Sequence, residues 1–113
     1  MDSWLKVDAG RSVGLVGSEG GTILLDDEHV DGARITLERD AHSIPFAITC
    51  GVYGWMVHTR FFNGETEARR DYDAMKVALS DLVSLLSQLD SKGEDDAWSS
   101  AAAECSKFIG RFP

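Results

Sequence analysis

The stretch IPFAITCGVYGWMVHTRFF, residues 44–62, constrains the fold more than any other part of the chain. It carries Phe46, Tyr53, Trp55, Phe61 and Phe62, half of the ten aromatic residues, against a single charged side chain, Arg60. A segment this apolar has to be buried, and its β-branched and aromatic residues on either side of Gly51 to Gly54 read as two arms of a β-hairpin. Side chains on a strand alternate between faces with period two. A turn at Val52-Tyr53 pairs Cys50 with Trp55, Ile48 with Val57 and Phe46 with Thr59, and only an odd-length loop or a bulge exchanges the faces. The expected core face is therefore Ile44, Phe46, Ile48, Cys50, Trp55, Val57, Thr59 and Phe61. Ala47, Thr49, Met56, His58, Arg60 and Phe62 lie on the other face, which is too mixed for a dry interior and too apolar for ordinary surface.

The preceding segment, Ala33 to Arg39, alternates cleanly, with Ile35 and Leu37 on one side and Arg34, Thr36 and Glu38 on the other, as a strand with one wet face does. Pairing Arg39 with Ile44 sets Ile35 opposite Ile48 and Leu37 opposite Phe46, so the core faces agree across three strands. Pro45 is tolerable there because it sits near a strand's start. Upstream, Ser12 to Val16 and Thr22 to Asp26 read as two more strands joined by Gly17-Ser18-Glu19-Gly20-Gly21. These glycines resemble a phosphate-binding loop only loosely, without the GK[ST] ending, GxGxxG spacing or a following helix. Asp26-Asp27-Glu28-His29 reads as a solvated turn that lacks the ligand spacing of a calcium loop. Residues 1–10 are compatible with either a short strand or packing at the domain's edge.

Beyond Asn63-Gly64, with Asn63 as the expected N-cap and Glu65 and Glu67 favoured by the helix dipole, the pattern changes period. Ala68, Tyr72, Met75, Leu79, Leu82, Leu86 and Leu89 recur at alternating spacings of four and three, widened by Ala78, Val83 and Leu85. That stripe is broad enough to lie on a sheet rather than form a narrow coiled-coil seam. A second helix opens at Glu94-Asp95-Asp96 and ends at Gly110, with Ala97, Trp98, Ala101, Ala102, Cys105, Phe108 and Ile109 on one side. The expected fold is α+β: one domain over residues 1–113, an antiparallel β-meander of about five strands within 12–62, and helices at about 65–91 and 95–109 packed on one face.

Composition narrows the function. The formal net charge of −8, with no cluster of lysine or arginine, argues against nucleic acid and anionic membranes as partners but is compatible with a basic protein. No signal segment or apolar run of spanning length occurs, so the expected location is cytoplasmic. Cys50 and Cys105 have no metal or redox spacing and read as small buried side chains. No cofactor or metal is expected. A Cys50–His58 dyad fails because the expected register puts the two on opposite faces, and no GxSxG or HExxH motif is present.

The chain therefore reads as a binding protein rather than an enzyme. The first expectation is self-association as a homodimer through the Trp55 to Phe62 edge or the open face, with Trp55, Met56 and Phe62 at the contact. The alternative is a binding protein or enzyme for an anionic small molecule held on the open face by Arg34, Thr36, Glu38, Thr49, His58 and Arg60, with His58 as proton acceptor where it acts on the ligand.

Overall fold

The computed structural model describes residues 3–92 and 97–113. Five strands, β1 (Trp4–Lys6), β2 (Thr22–His29), β3 (Ala33–Ala41), β4 (Ile44–Val52) and β5 (Met56–Phe62), form one antiparallel sheet in the order β1-β2-β3-β4-β5. Two helices follow, α1 (Glu65–Lys92) and α2 (Ala97–Arg111), so the chain is α+β. The sheet begins earlier than the sequence suggests. Trp4 to Lys6 is its first strand, and residues 12–16, expected as a strand, form a loop attached to β2 by the Val16–Thr22 bridge and the Gly14–Ile23 and Leu15–Ile23 backbone bonds. β2 continues through the segment read as a polar turn as far as His29, where Gly32, at a φ of 103°, lets the chain reverse.

Registers decide which residues meet. β3 and β4 pair two residues away from the expected alignment, with Ile35 opposite Cys50 and Leu37 opposite Ile48, and a shift of two leaves the faces unchanged. The β4–β5 turn does change them. Trp55 N donates to Val52 O at 2.9 Å with Gly54 at a φ of 83°, the position of a type II turn that favours glycine. Trp55 is left as an extra residue, the loop is three residues long, and Val52 pairs with Met56, Cys50 with His58 and Ile48 with Arg60. Met56, His58, Arg60 and Phe62 therefore share the face of Ile48 and Cys50, while Val57, Thr59 and Phe61 turn outward.

The inner face carries the core. α1 lies on β3 and β4 through Ala68, Tyr72, Met75 and Leu79, all essentially without exposure against Ile35, Leu37 and Ile48. Full burial of each large apolar side chain contributes about 1.5–3 kcal/mol. The end of α1 packs Leu82, Val83 and Leu86 with Ala101, Cys105 and Phe108 of α2. The α1 stripe is the one its periodicity predicts. Its cap is not: Ala68 N donates to Gly64 O, so Gly64 rather than Asn63 holds that position. α2 runs through Gly110 to Arg111, and the expected acidic start at residues 94–96 lies outside the described residues.

The outer face is half covered by the glycine-rich loop. The Glu38 side chain, with 0% exposure, accepts from Gly21 N at 2.9 Å and from Glu19 N at 3.2 Å. A Cβ on Gly17 would fall 2.3 Å from the Glu38 carboxyl carbon, so this close approach requires glycine. Glu38→Ala removes the acceptor and strands both amides in a dry site, a loss of about 3 kcal/mol. Glu38→Gln keeps one acceptor oxygen and should lose about 1 kcal/mol. Urea midpoints of the two variants measure the difference, and equal midpoints would show that the loop does not depend on this carboxylate.

Candidate functional site

The sheet's two faces carry separate polar groups because β2 presents adjacent acids to opposite sides. On the outer face Asp26, whose side chain has no exposure, accepts from Arg34 Nε and Nη2 at 2.9 and 2.7 Å and from Thr36 Oγ1 at 2.9 Å. The hydrogen bonds it donates to Asp26 hold the Arg34 guanidinium above its ordinary pKa, against the opposing cost of burial. On the inner face Asp27 accepts from the Tyr72 hydroxyl at 2.6 Å and pairs with Lys76 at 3.5 Å. Asp26 and Glu28 thus point away from Asp27 and His29, which removes any shared metal site along this segment. No group of three or more His, Cys, Asp or Glu side chains arranged for a metal ion occurs among the described residues.

Of the residues expected on the open face, Arg34, Thr36, Glu38 and Thr49 are there, and His58 and Arg60 are not. The three-residue turn sends both to the helix side. His58 Nε2 bonds the main-chain oxygen of Phe112, while Arg60 bonds that of Pro113 at 3.1 Å and Asp71 at 3.1 Å. Glu38, expected beside Arg60, is taken up by the loop amides instead. Met56, expected at an open contact, is 9% exposed within the core, and Phe62 packs against the core as well. Trp55 does stay at the surface, its ring 4.8 Å from that of Trp98.

The uncovered half of the outer face holds a groove of about 660 Å³. Thr36, Thr49 and Gly51 form its floor, Val16 and Ser18 of the loop one wall, and Tyr53 to Val57 the other. Arg34 is the one charged residue lining it among the described residues, and its side chain is 42% exposed. Gly51 keeps the floor low, since a Cβ there would meet Met56 O at 3.0 Å. Tyr53, Gly54, Val57 and the loop wall are not among the site residues expected from sequence, although a glycine at 54 suits the third position of a type II turn and so favours the observed loop length.

Two arrangements look catalytic and are not. Cys50 and His58 stand directly opposite each other on one face, contrary to the expected register. Burial nevertheless pushes the Cys50 thiol up to about 12, only partly countered by Arg60, so no thiolate forms near neutral pH. His29 Nε2 lies 3.2 Å from Ser80 Oγ, and its Nδ1 accepts the Asp31 amide at 3.1 Å. A neutral ring that accepts at Nδ1 carries its proton on Nε2, so it donates to Ser80 and cannot take the serine proton.

Burial also raises the Tyr72 phenol well above its ordinary value, reinforced by its bond to Asp27. Both raised groups stay neutral in the fold while their unfolded counterparts ionise, so the stability they confer is full below their ordinary values and falls as pH rises. Between the ordinary cysteine value of 9.0 and about 12, Cys50 should remove up to about 1.4 kcal/mol per pH unit. Tyr72 should add to the loss above its ordinary value of 10.0. Denaturation curves for wild type and Cys50→Ala between pH 8 and about 10.5 test this: the variant should decline less with pH, and parallel curves would refute it.

No protein-family model, characterised protein or solved structure matches this chain, so its function has to be argued from these sites themselves.

Proposed function

We propose that this protein is a cytoplasmic, non-catalytic binding module that self-associates through the free edge of its sheet. One observation carries the reading: β5 is a seven-residue terminal strand whose outward side chains Val57 and Phe61 are 78% and 55% exposed. Among the described residues, no backbone hydrogen bond reaches β5 except from β4. Long apolar edges without lysine or proline pair readily with another strand. Its single formal charge, Arg60, is engaged by Asp71 on the inner face. The opposite edge, β1, is three residues long and offers much less.

Antiparallel pairing of two β5 strands about a two-fold axis at Thr59 would set Val57 of one copy opposite Phe61 of the other, twice over. Cross-strand apolar pairs of this kind contribute about 0.2–1 kcal/mol each, in addition to the ladder of backbone bonds. Such a contact is isologous and closes as a dimer. The exposed apolar side chains of Val57 and Phe61 favour a second copy over a basic protein at this edge; the net charge of −8 suits a basic partner at other surfaces. Two unpaired, buried cysteines suit a reducing compartment.

Sedimentation of wild-type protein should give a dimer, and Phe61→Lys or Val57→Lys should give a monomer with an unchanged circular dichroism spectrum. Association should tighten as salt rises, because screening relieves repulsion between two chains of charge −8. A monomeric wild type, or dimers that survive both substitutions, would overturn the proposal.

A further inference from the structure

We infer that the outer-face groove binds a small, planar, apolar monocarboxylate, gripped by the outer edge of the Arg34 guanidinium. The inference does not rest on the dimer, although Val57 belongs both to the groove wall and to the proposed edge contact. A volume of about 660 Å³ suits a small organic ligand. The walls are mainly apolar, with the aromatic rings of Tyr53 and Trp55 on one side.

The charge arrangement selects the ligand. Arg34 has five N–H donors, and its two bonds to Asp26 use the inner Nε–Nη2 edge. Nη1 has no hydrogen-bond partner among the described residues, which leaves the outer Nη1–Nη2 edge available, and Arg34 is part of the groove lining. Asp26 fixes the plane of the guanidinium, and Thr36 fixes Asp26, so the outer edge is held in place before a ligand arrives. That fork matches the two oxygens of a carboxylate. A phosphate dianion fits poorly, because the Asp26 and Glu28 carboxylates both act on the guanidinium, Glu28 from directly opposite on β2, and no second cation lines the groove among the described residues. Thr49 Oγ1, 3.4 Å from Thr59 Oγ1, supplies a further polar contact on the floor.

Isothermal titration with 2-naphthoate and its methyl ester tests the site. Wild-type protein should bind one naphthoate per chain and bind the ester about tenfold more weakly, as expected when a charge-assisted pair is lost. Arg34→Lys keeps the ion pair with Asp26 but replaces the fork by a point charge. It should abolish the preference for the acid while leaving the affinity for the ester unchanged. Ser18→Trp, at an exposed position on the loop wall, should block both ligands and decides the matter if Arg34→Lys does not fold. Phe61→Lys lies outside the groove, so naphthoate should still bind to it. No saturable binding, equal affinity for acid and ester in wild type, an acid preference that survives Arg34→Lys, unchanged binding in Ser18→Trp, or loss of binding in Phe61→Lys would each overturn the inference.

Discussion

The length of the turn between β4 and β5 sets the phase of the whole last strand. With Gly54 at the third position of the turn and Trp55 left over, Met56, His58, Arg60 and Phe62 are carried inward, and Val57, Thr59 and Phe61 outward. One residue fewer would reverse every one of these assignments. Arg60 would lose Asp71 and the main-chain oxygen of Pro113, and His58 would lose Phe112. The edge would then present a cation and an imidazole instead of Val57 and Phe61. Both the apolar edge and the single-cation groove thus follow from a loop of three residues.

The glycine-rich loop does bind an anion, but that anion belongs to the chain. Backbone amides of Glu19 and Gly21 converge on Glu38, as amides of such loops converge on phosphates, and the site is filled by a side chain delivered from β3. This contact fixes the loop against the sheet, and Glu19 Oε1 extends the attachment by accepting from Thr59 on β5. It also creates the groove, because residues 16–18 become a wall only when the loop is held down. An exposed apolar loop containing Leu15 and Val16 is thereby kept in one place, with only a bridge and two backbone bonds to β2.

The elements legible in the sequence are those whose pattern is set by one dominant environment. α1 repeats its apolar residues every three or four positions because one side meets the sheet throughout, and β3 alternates because its inner face is continuous core. β2 defeated the same reading. Its acids and His29 alternate between two faces that are both partly polar, and their partners, Arg34, Thr36, Tyr72, Lys76 and Ser80, come from other elements. A polar run with partners distant in sequence resembles a solvated turn until those partners are known. Of the six candidate ligand residues, Arg34, Thr36, Glu38 and Thr49 lie on the outer face, and three of these, Arg34, Thr36 and Thr49, line the groove. His58 and Arg60 were misplaced by the turn, which local composition specifies weakly.

What a fold leaves unsatisfied is the better guide to its use. Most of the chemically capable groups here are already committed: Glu38 to amides, Asp27 to Tyr72 and Lys76, His29 to Ser80 and the Asp31 amide, and Cys50 to the core. A nucleophile or general base needs a free lone pair at a reachable atom, and these groups are held in structural bonds or buried in the core. Among the described residues, two ordered hydrogen-bonding arrays stand out, the outer edge of the β5 backbone and the outer fork of Arg34. Each is a hydrogen-bonding array held in position by bonds on its other side, β5 by β4 and Arg34 by Asp26. An array ordered before its partner arrives loses little entropy on binding, which favours recognition.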